Sequence, residues 1–290
     1  MVDKQEIMRL LNLYFKTTKQ VTIDDKGLVS CTGHVRLAKP ISHLPVQFDQ
    51  VDGNFLCRNN RLLESLQGCP RYVGKHFDCS NNPLLKSLAG APDKVRLDCR
   101  CNKNPSLRFL IGFPPVVGKN VEVNYNNLLE SLDGLPQTVG GFFYCWGNKE
   151  LQSLHGSPQY VKWSCSFSGL PKLLSLEGSP RTVGATFIIN KTGIKTLKGA
   201  PLKVGTSFEC YANPNLLSLE DLPLVKSFYI SYSPALPLLR SLQANQIVIY
   251  GTKDNTVQDI LNKYAGQGEA GAFACGAELA TAGYKENARW

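Results

Sequence analysis

The residues of this 290-residue chain best suited to chemistry are its ten cysteines: Cys31, Cys57, Cys69, Cys79, Cys99, Cys101, Cys145, Cys165, Cys210 and Cys275. A thiol can pair as a disulfide, ligate a metal or act as a nucleophile. Cys99 and Cys101 form a C-x-C, but no His or second Cys pair follows at zinc spacing, so the metal signal is weak. Cys57, Cys79, Cys99, Cys145, Cys165 and Cys210 fall at one place in a recurring phrase, where other copies carry Val123, Ile189, Ile230 and Ile249. Exchange with aliphatic residues marks a place for a small apolar filler. The prediction is reduced, buried thiols in a cytoplasmic protein rather than disulfides.

Four histidines offer acid–base chemistry: His34, His43, His76 and His155. Only His76 falls beside carboxylates, with Asp78, Asp98 and Arg96 nearby in the same strand register. On a solvated sheet such a histidine is usually an ordinary surface residue. There is no G-x-S-x-G, phosphate loop or H-E-x-x-H. The chain therefore reads as a non-enzyme with no metal or cofactor. The Asn190-Lys191-Thr192 sequon coincides with a structural column described next.

The element that positions these residues is a repeat. Leu66, Leu88, Leu110, Leu132, Leu154, Leu176, Leu197, Leu219 and Leu242 open the same phrase at intervals of 21 to 23 residues, and a proline column from Pro70 to Pro223 keeps step. Such a period marks a stacked-coil architecture in which each repeat buries its apolar side against its neighbours. One copy, Ser65 to Leu85, contains Phe77, Cys79 and Asn82 as F-x-C-x-x-N. Alternation along a strand puts Phe77 and Cys79 inward, Asp78 and Ser80 outward. The Phe77 column is read as including Leu97 and Trp163, and the Cys79 column as including Cys99 and Cys165. The Asn82 column is read as Asn60, Asn82, Asn102, Asn126, Asn148, Ser168, Thr192, Asn213, Ser233 and Thr252. Short polar side chains there can pair backbone groups where the chain turns inward. The S-L-x-G-x-P half carries Gly and Pro, which disfavour a helix; it is expected to be extended or polyproline-like.

The x-F-x-C-x-x-N-x-x-L-x-S-L wording resembles a leucine-rich repeat, whose motif is L-x-L-x-x-N-x-L. Its short Pro-containing outer segment is similar to the repeats of bacterial type III effectors. V-G-x-x-F-x-C-x-x-N followed by S-L-x-G-x-P most resembles small leucine-rich-repeat-like proteins of tailed bacteriophages. The resemblance covers roughly residues 44–250. It implies a β-rich solenoid of about ten coils of 22 residues, with a parallel concave sheet and polyproline-like convex segments. It also implies a phage protein that engages and inhibits or redirects a host or defence protein. Departures are Phe and Cys in place of Leu on the strand, and two copies, near Val95 and Val161, read as lacking two residues before the apolar strand position. The ubiquitin-ligase domain of many effector relatives has no counterpart here.

A solenoid must cover its ends. Residues 1–43 suggest a cap: Ile7, Leu10, Leu11 and Tyr14 share a helical face, and a strand–turn–strand follows with Asp25-Lys26-Gly27 at the turn. Residues 44–252 form the solenoid. Residues 253–290 suggest a helical cap, a first helix capped by Thr256 and bearing Val257, Ile260, Leu261 and Tyr264, and a second from Glu269 to about Ala282; a docking role for the pair is the alternative.

The formal charge is +9, from 32 basic and 23 acidic residues. Outward strand residues include Arg58, Arg96, Arg100 and Lys162 against Asp78, Asp98, Glu122 and Glu209, a balance of zero. A phosphate-tracking groove needs positive charge, so nucleic acid is not expected on the concave face. No apolar run is long enough to span a membrane. The concave face offers a charged half, Arg58, Asp78, Arg96, Asp98 and Arg100, and an aromatic half, Tyr144, Trp146, Tyr211, Tyr229 and Tyr250. Large aromatics are enriched at protein interfaces, although they also simply suit strands. These ten residues are the candidate partner-binding surface. The alternatives are a structural or adhesive virion component, and an enzyme or nucleic-acid binder using a convex or edge site.

Overall fold

The computed structural model describes residues 2–290. The chain is a β-solenoid of about ten turns of about 22 residues, with parallel sheets and three helices. It divides into two units: one runs to Glu150 and takes in Gly156–Pro158, and the other holds Leu151–His155 and Gln159–Trp290.

In the first unit the main sheet runs in parallel register Val35, Phe55, Phe77, Cys99, Val121, Phe143. In the second it runs Cys165, Phe187, Phe208, Phe228, Ile247. These residues point inward and are almost fully buried, as are the repeat leucines Leu66, Leu88, Leu110, Leu132, Leu154 and Leu176. Phe rings meet along the column, Phe55 with Phe77 at 6.2 Å and Phe187 with Phe208 at 5.3 Å. Burial of these apolar columns against the next coil is the main force holding the stack together.

This register corrects the sequence-based columns at two coils. No residues are missing near Val95 and Val161. Cys99 and Cys165 occupy the Phe77 column, and Cys101 and Phe167 lie in the Cys79 column. Leu97 is displaced to a half-buried place beside the strand, and Trp163 is 49% exposed. The physical reason is backbone pairing: Phe77 N–H donates to Asp98 O at 3.0 Å and Cys165 N–H to Thr186 O at 2.9 Å, and a two-residue deletion would break such bonds. Asn104, not Asn102, takes the ladder place, and Leu170, not Ser168, stands there in its coil, fully buried.

The polar ladder is otherwise continuous through the first unit. Asn60, Asn82, Asn104 and Asn126 each donate a backbone N–H to the side-chain oxygen of the next asparagine, ending at Asn148, at 2.8–2.9 Å. In the second unit Thr192 N–H and its hydroxyl both donate to Asn213 Oδ1. Just before the ladder most coils turn left-handed. Asn59, Asn81, Lys103, Tyr125, Lys191 and Ala212 all have φ between 56° and 61°, a conformation that costs an L-residue about 1 kcal/mol or more.

The Gly/Pro half is extended, as expected, and also pairs. Short strands Phe48–Val51, Tyr72–Val73, Lys94–Val95 and Val116–Val117 form a second parallel sheet in the first unit, and Tyr160–Val161, Thr182–Val183 and Lys203–Val204 do so in the second. The serine that opens S-L-x-G has a local task. Ser65, Ser87, Ser131, Ser153, Ser175 and Ser218 each accept the backbone N–H two residues on. The following glycine is fixed by geometry: Gly90 has φ +88°, and a Cβ there would stand 2.7 Å from Gln67 N.

Helix α1 (Lys4–Tyr14) is capped by Asp3, whose carboxylate accepts from Gln5 and Glu6 N–H, and leads into Phe15–Thr17, antiparallel to Val35–Leu37. The predicted hairpin follows as Val21–Ile23 against Val29–Cys31. In the second unit, α2 (Thr256–Lys263) buries Val257, Ile260 and Leu261 and covers the free edge of the strand Ala244–Tyr250. Asn262 bonds both backbone groups of Ile247 at 2.7 Å, and Gln258 accepts from Ile249 N–H. That occupies edge positions otherwise open to another strand. Helix α3 (Glu269–Thr281) follows, and Lys263 of α2 and Tyr264 just past its end bond its Glu278.

Candidate functional site

The outward side chains of the first unit's strands form a polar network and then an aromatic cluster. Asp78 is only 4% exposed at its side chain and pairs with Arg58 at 3.1 Å. Asp98, 7% exposed, pairs with Arg100 at 2.8 Å. Arg100 also reaches Glu122 at 2.9 Å, and Glu122 accepts from Asn102. Burial opposes charge on Arg100, but the hydrogen bond to Glu122 and the nearby carboxylates hold its pKa above the ordinary value. Removing water from paired carboxylates is costly unless such bonds replace it, and here they do.

Arg58, Asp78, Asp98 and Arg100 are thus brought together. Arg96 is not. It stands at the place other coils fill with Gly74 and Gly118, ahead of the strand and exposed to solvent. Asp98 takes a place beside His76 rather than in the Asp78 column, because the coil is two residues out of the expected register. His76 Nδ1 lies 3.0 Å from Asp98 Oδ2 but is not aligned for a hydrogen bond, and it makes no other. His34, by contrast, accepts the backbone N–H of Asn54 at 2.9 Å. With Arg96 and Lys162 off the strand face, Arg36, Arg58 and Arg100 stand against Asp78, Asp98, Glu122 and Glu209, so the face carries no positive excess on a chain of +9.

The aromatic cluster joins Phe142, Tyr144 and Trp146 along one strand: Phe142 stacks on Tyr144 at 5.7 Å, and Tyr144 meets Trp146 edge-on at 5.4 Å. Burial, then the charge of Glu122, raises the pKa of the Tyr144 hydroxyl. Trp146 remains 38% exposed. Sequence reasoning missed what holds this cluster. Asn120 Oδ1 accepts the backbone N–H of Phe142 at 2.8 Å, and Asn124 Oδ1 that of Trp146 at 2.9 Å. Their signal was present: asparagines recurring on the outward side of a strand, where β-propensity disfavours them.

In the second unit Glu209, Tyr211, Tyr229 and Tyr250 line one open pocket of about 450 Å³. The rings of Tyr211 and Tyr250 meet at 5.4 Å and 75°. Asn190 Oδ1 holds the Tyr211 backbone N–H at 2.9 Å, as Asn124 does for Trp146. A separate, mainly apolar pocket of about 580 Å³ opens beside the ladder between Asn213 and Ser233.

All ten cysteines are buried, and none forms a disulfide. Cys57, Cys79, Cys101, Cys145 and Cys210 share one inward column, so Cys99 and Cys165 leave the set predicted from sequence. Burial pushes the thiols of Cys145 and Cys210 up to about 12. No group of three or more His, Cys, Asp or Glu side chains among the described residues is placed to hold a metal ion. No helix among them is long and apolar enough to cross a membrane. No family model, no curated protein and no solved structure matches the chain.

Proposed function

We propose that this chain is a non-enzymatic protein-binding scaffold whose ligand is a protein gripped by the outward aromatic side chains of its main strands. The observation that carries the reading is Trp146: a large side chain left 38% exposed, braced edge-on by Tyr144, with its backbone held by Asn124. Exposed, pre-ordered aromatics lose little entropy on binding and commonly dominate interface energetics. A strand face without an excess of positive charge is a poor match for a nucleic-acid backbone. The repeat wording extends the proposal to a phage protein that engages and inhibits or redirects a host or defence protein inside the host cell.

The test retrieves a binding protein from host lysate with the tagged chain, then titrates the purified protein against variants. Trp146→Ala is expected to weaken binding about thirtyfold or more, with the melting temperature little changed. If Trp146→Ala and Tyr211→Ala bind as tightly as the parent while Lys195→Glu with Lys198→Glu abolishes binding, the strand face is not the site.

A further inference from the structure

We infer that Glu209, Tyr211, Tyr229 and Tyr250 form a cage for an alkylammonium cation. The strand register builds it. Glu209 lies opposite Tyr229 on the next strand, and Ser231 lies opposite Tyr250 on the one after. Tyr211 follows Glu209 by two residues and so shares its face. Tyr211 and Tyr250 belong to strands separated by the one that carries Ser231, yet their rings meet at 5.4 Å because that small side chain lets them lean across it. Their planes stand at 75°. Two walls at nearly a right angle, a third tyrosine and a carboxylate therefore surround one pocket of about 450 Å³ that opens to solvent.

Ring faces are negative and attract cations, most strongly where water is excluded. The carboxylate supplies the counter-charge. Glu209 differs here from the other strand-face acids. Asp78, Asp98 and Glu122 are each paired with an arginine, whereas the Glu209 carboxylate has no hydrogen-bond or ion-pair partner among the described residues. No basic side chain lines the pocket, so an anion has nothing to bind. Methyl groups on the cation match three aromatic walls better than a bare, strongly hydrated ammonium. The ligand class is a quaternary or N-methylated ammonium, carried either by a small molecule such as choline or by a methylated lysine of a partner protein. The second source rests on the protein-binding reading above; the first does not.

Saturation-transfer NMR on the full chain tests this, reading the N-methyl signal of choline and of a short peptide containing trimethyllysine. The neutral tert-butyl isostere of choline, with carbon in place of nitrogen, serves as control. Both cations are expected to bind, with the isostere at least about tenfold weaker. Glu209→Gln and Tyr229→Leu should each weaken the cations about tenfold with an unchanged melting temperature. Peptide binding clearly tighter than choline assigns the cation to a protein; equal binding assigns it to a small molecule, and both support the cage. Absence of transfer to either cation at millimolar concentration overturns it, as does an isostere that binds equally well or a Glu209→Gln variant that binds as the parent does. A failed cage with an intact effect of Trp146→Ala on partner binding leaves the protein-binding reading standing; the reverse outcome overturns only that reading.

Discussion

Asn104 donates its backbone N–H to Asn126 Oδ1 at 2.9 Å, and the same Asn126 side chain donates to Cys101 O at 2.9 Å. One buried amide thus satisfies two backbone groups of the preceding coil. Asn126→Ala leaves both unpaired in a dry environment. The expected cost is about 1–3 kcal/mol, measured as a lower urea midpoint with an unchanged m-value.

Asn124 carries a similar load from the opposite face: its Oδ1 accepts Trp146 N–H, and its own backbone N–H donates to Asn102 Oδ1. It is 7% exposed. Asn124→Ala is expected to lower stability by about 1 kcal/mol or more and also to loosen Trp146. Denaturation together with tryptophan fluorescence anisotropy checks both effects.

Lys191 turns the chain with φ +57°. Glycine adopts that conformation without the Cβ penalty, while its freer unfolded chain offsets part of the gain. Lys191→Gly is therefore expected to raise stability by up to about 1 kcal/mol. A melting temperature below the parent's would show that the lysine side chain contributes packing that outweighs its strain.

Burial keeps the thiols of Cys145 and Cys210 protonated, with pKa values of about 12 against an ordinary 9.0. A thiol reagent at pH 8 is expected to titrate essentially none of the ten cysteines in the folded protein and all of them in denaturant. Because the folded pKa is raised, the unfolded chain releases protons first. Stability from these groups is fully present below pH 9 and falls as pH rises from 9 toward 12. A melting temperature flat over that range would contradict their burial.

Asn262 holds both backbone groups of Ile247 and so covers part of the edge of the strand Ala244–Tyr250. Asn262→Ala should cost about 1–3 kcal/mol and expose a strand edge. Concentration-dependent association by light scattering is the expected sign of the second effect.

The leucine and proline columns reveal the period, and the period determines the coil. Gly and Pro at fixed places exclude a helix from S-L-x-G-x-P, and alternating Phe, Cys and aliphatic residues fix which strand side is buried around Phe77 and Phe187. Both terminal helical regions were legible from their apolar spacing, but Thr256 is the first residue of its helix rather than the cap, and Asn255 before it makes no side-chain capping bond. Register at Cys99 and Cys165, by contrast, is not legible in the chain's own pattern and is set by pairing between coils. Cysteine is apolar and small enough to suit either inward column, and Leu97 and Trp163 offer a false apolar alternative two residues away. Inter-coil bonds such as Cys99 N–H to Asn120 O settle the choice. That shift removes Arg96 from the strand face and places Asp98 against His76 and Arg100. The tyrosine cage was beyond sequence reasoning for a similar reason. Its rings meet across an intervening strand, and no spacing along one chain encodes how far side chains lean over a small neighbour in the next coil.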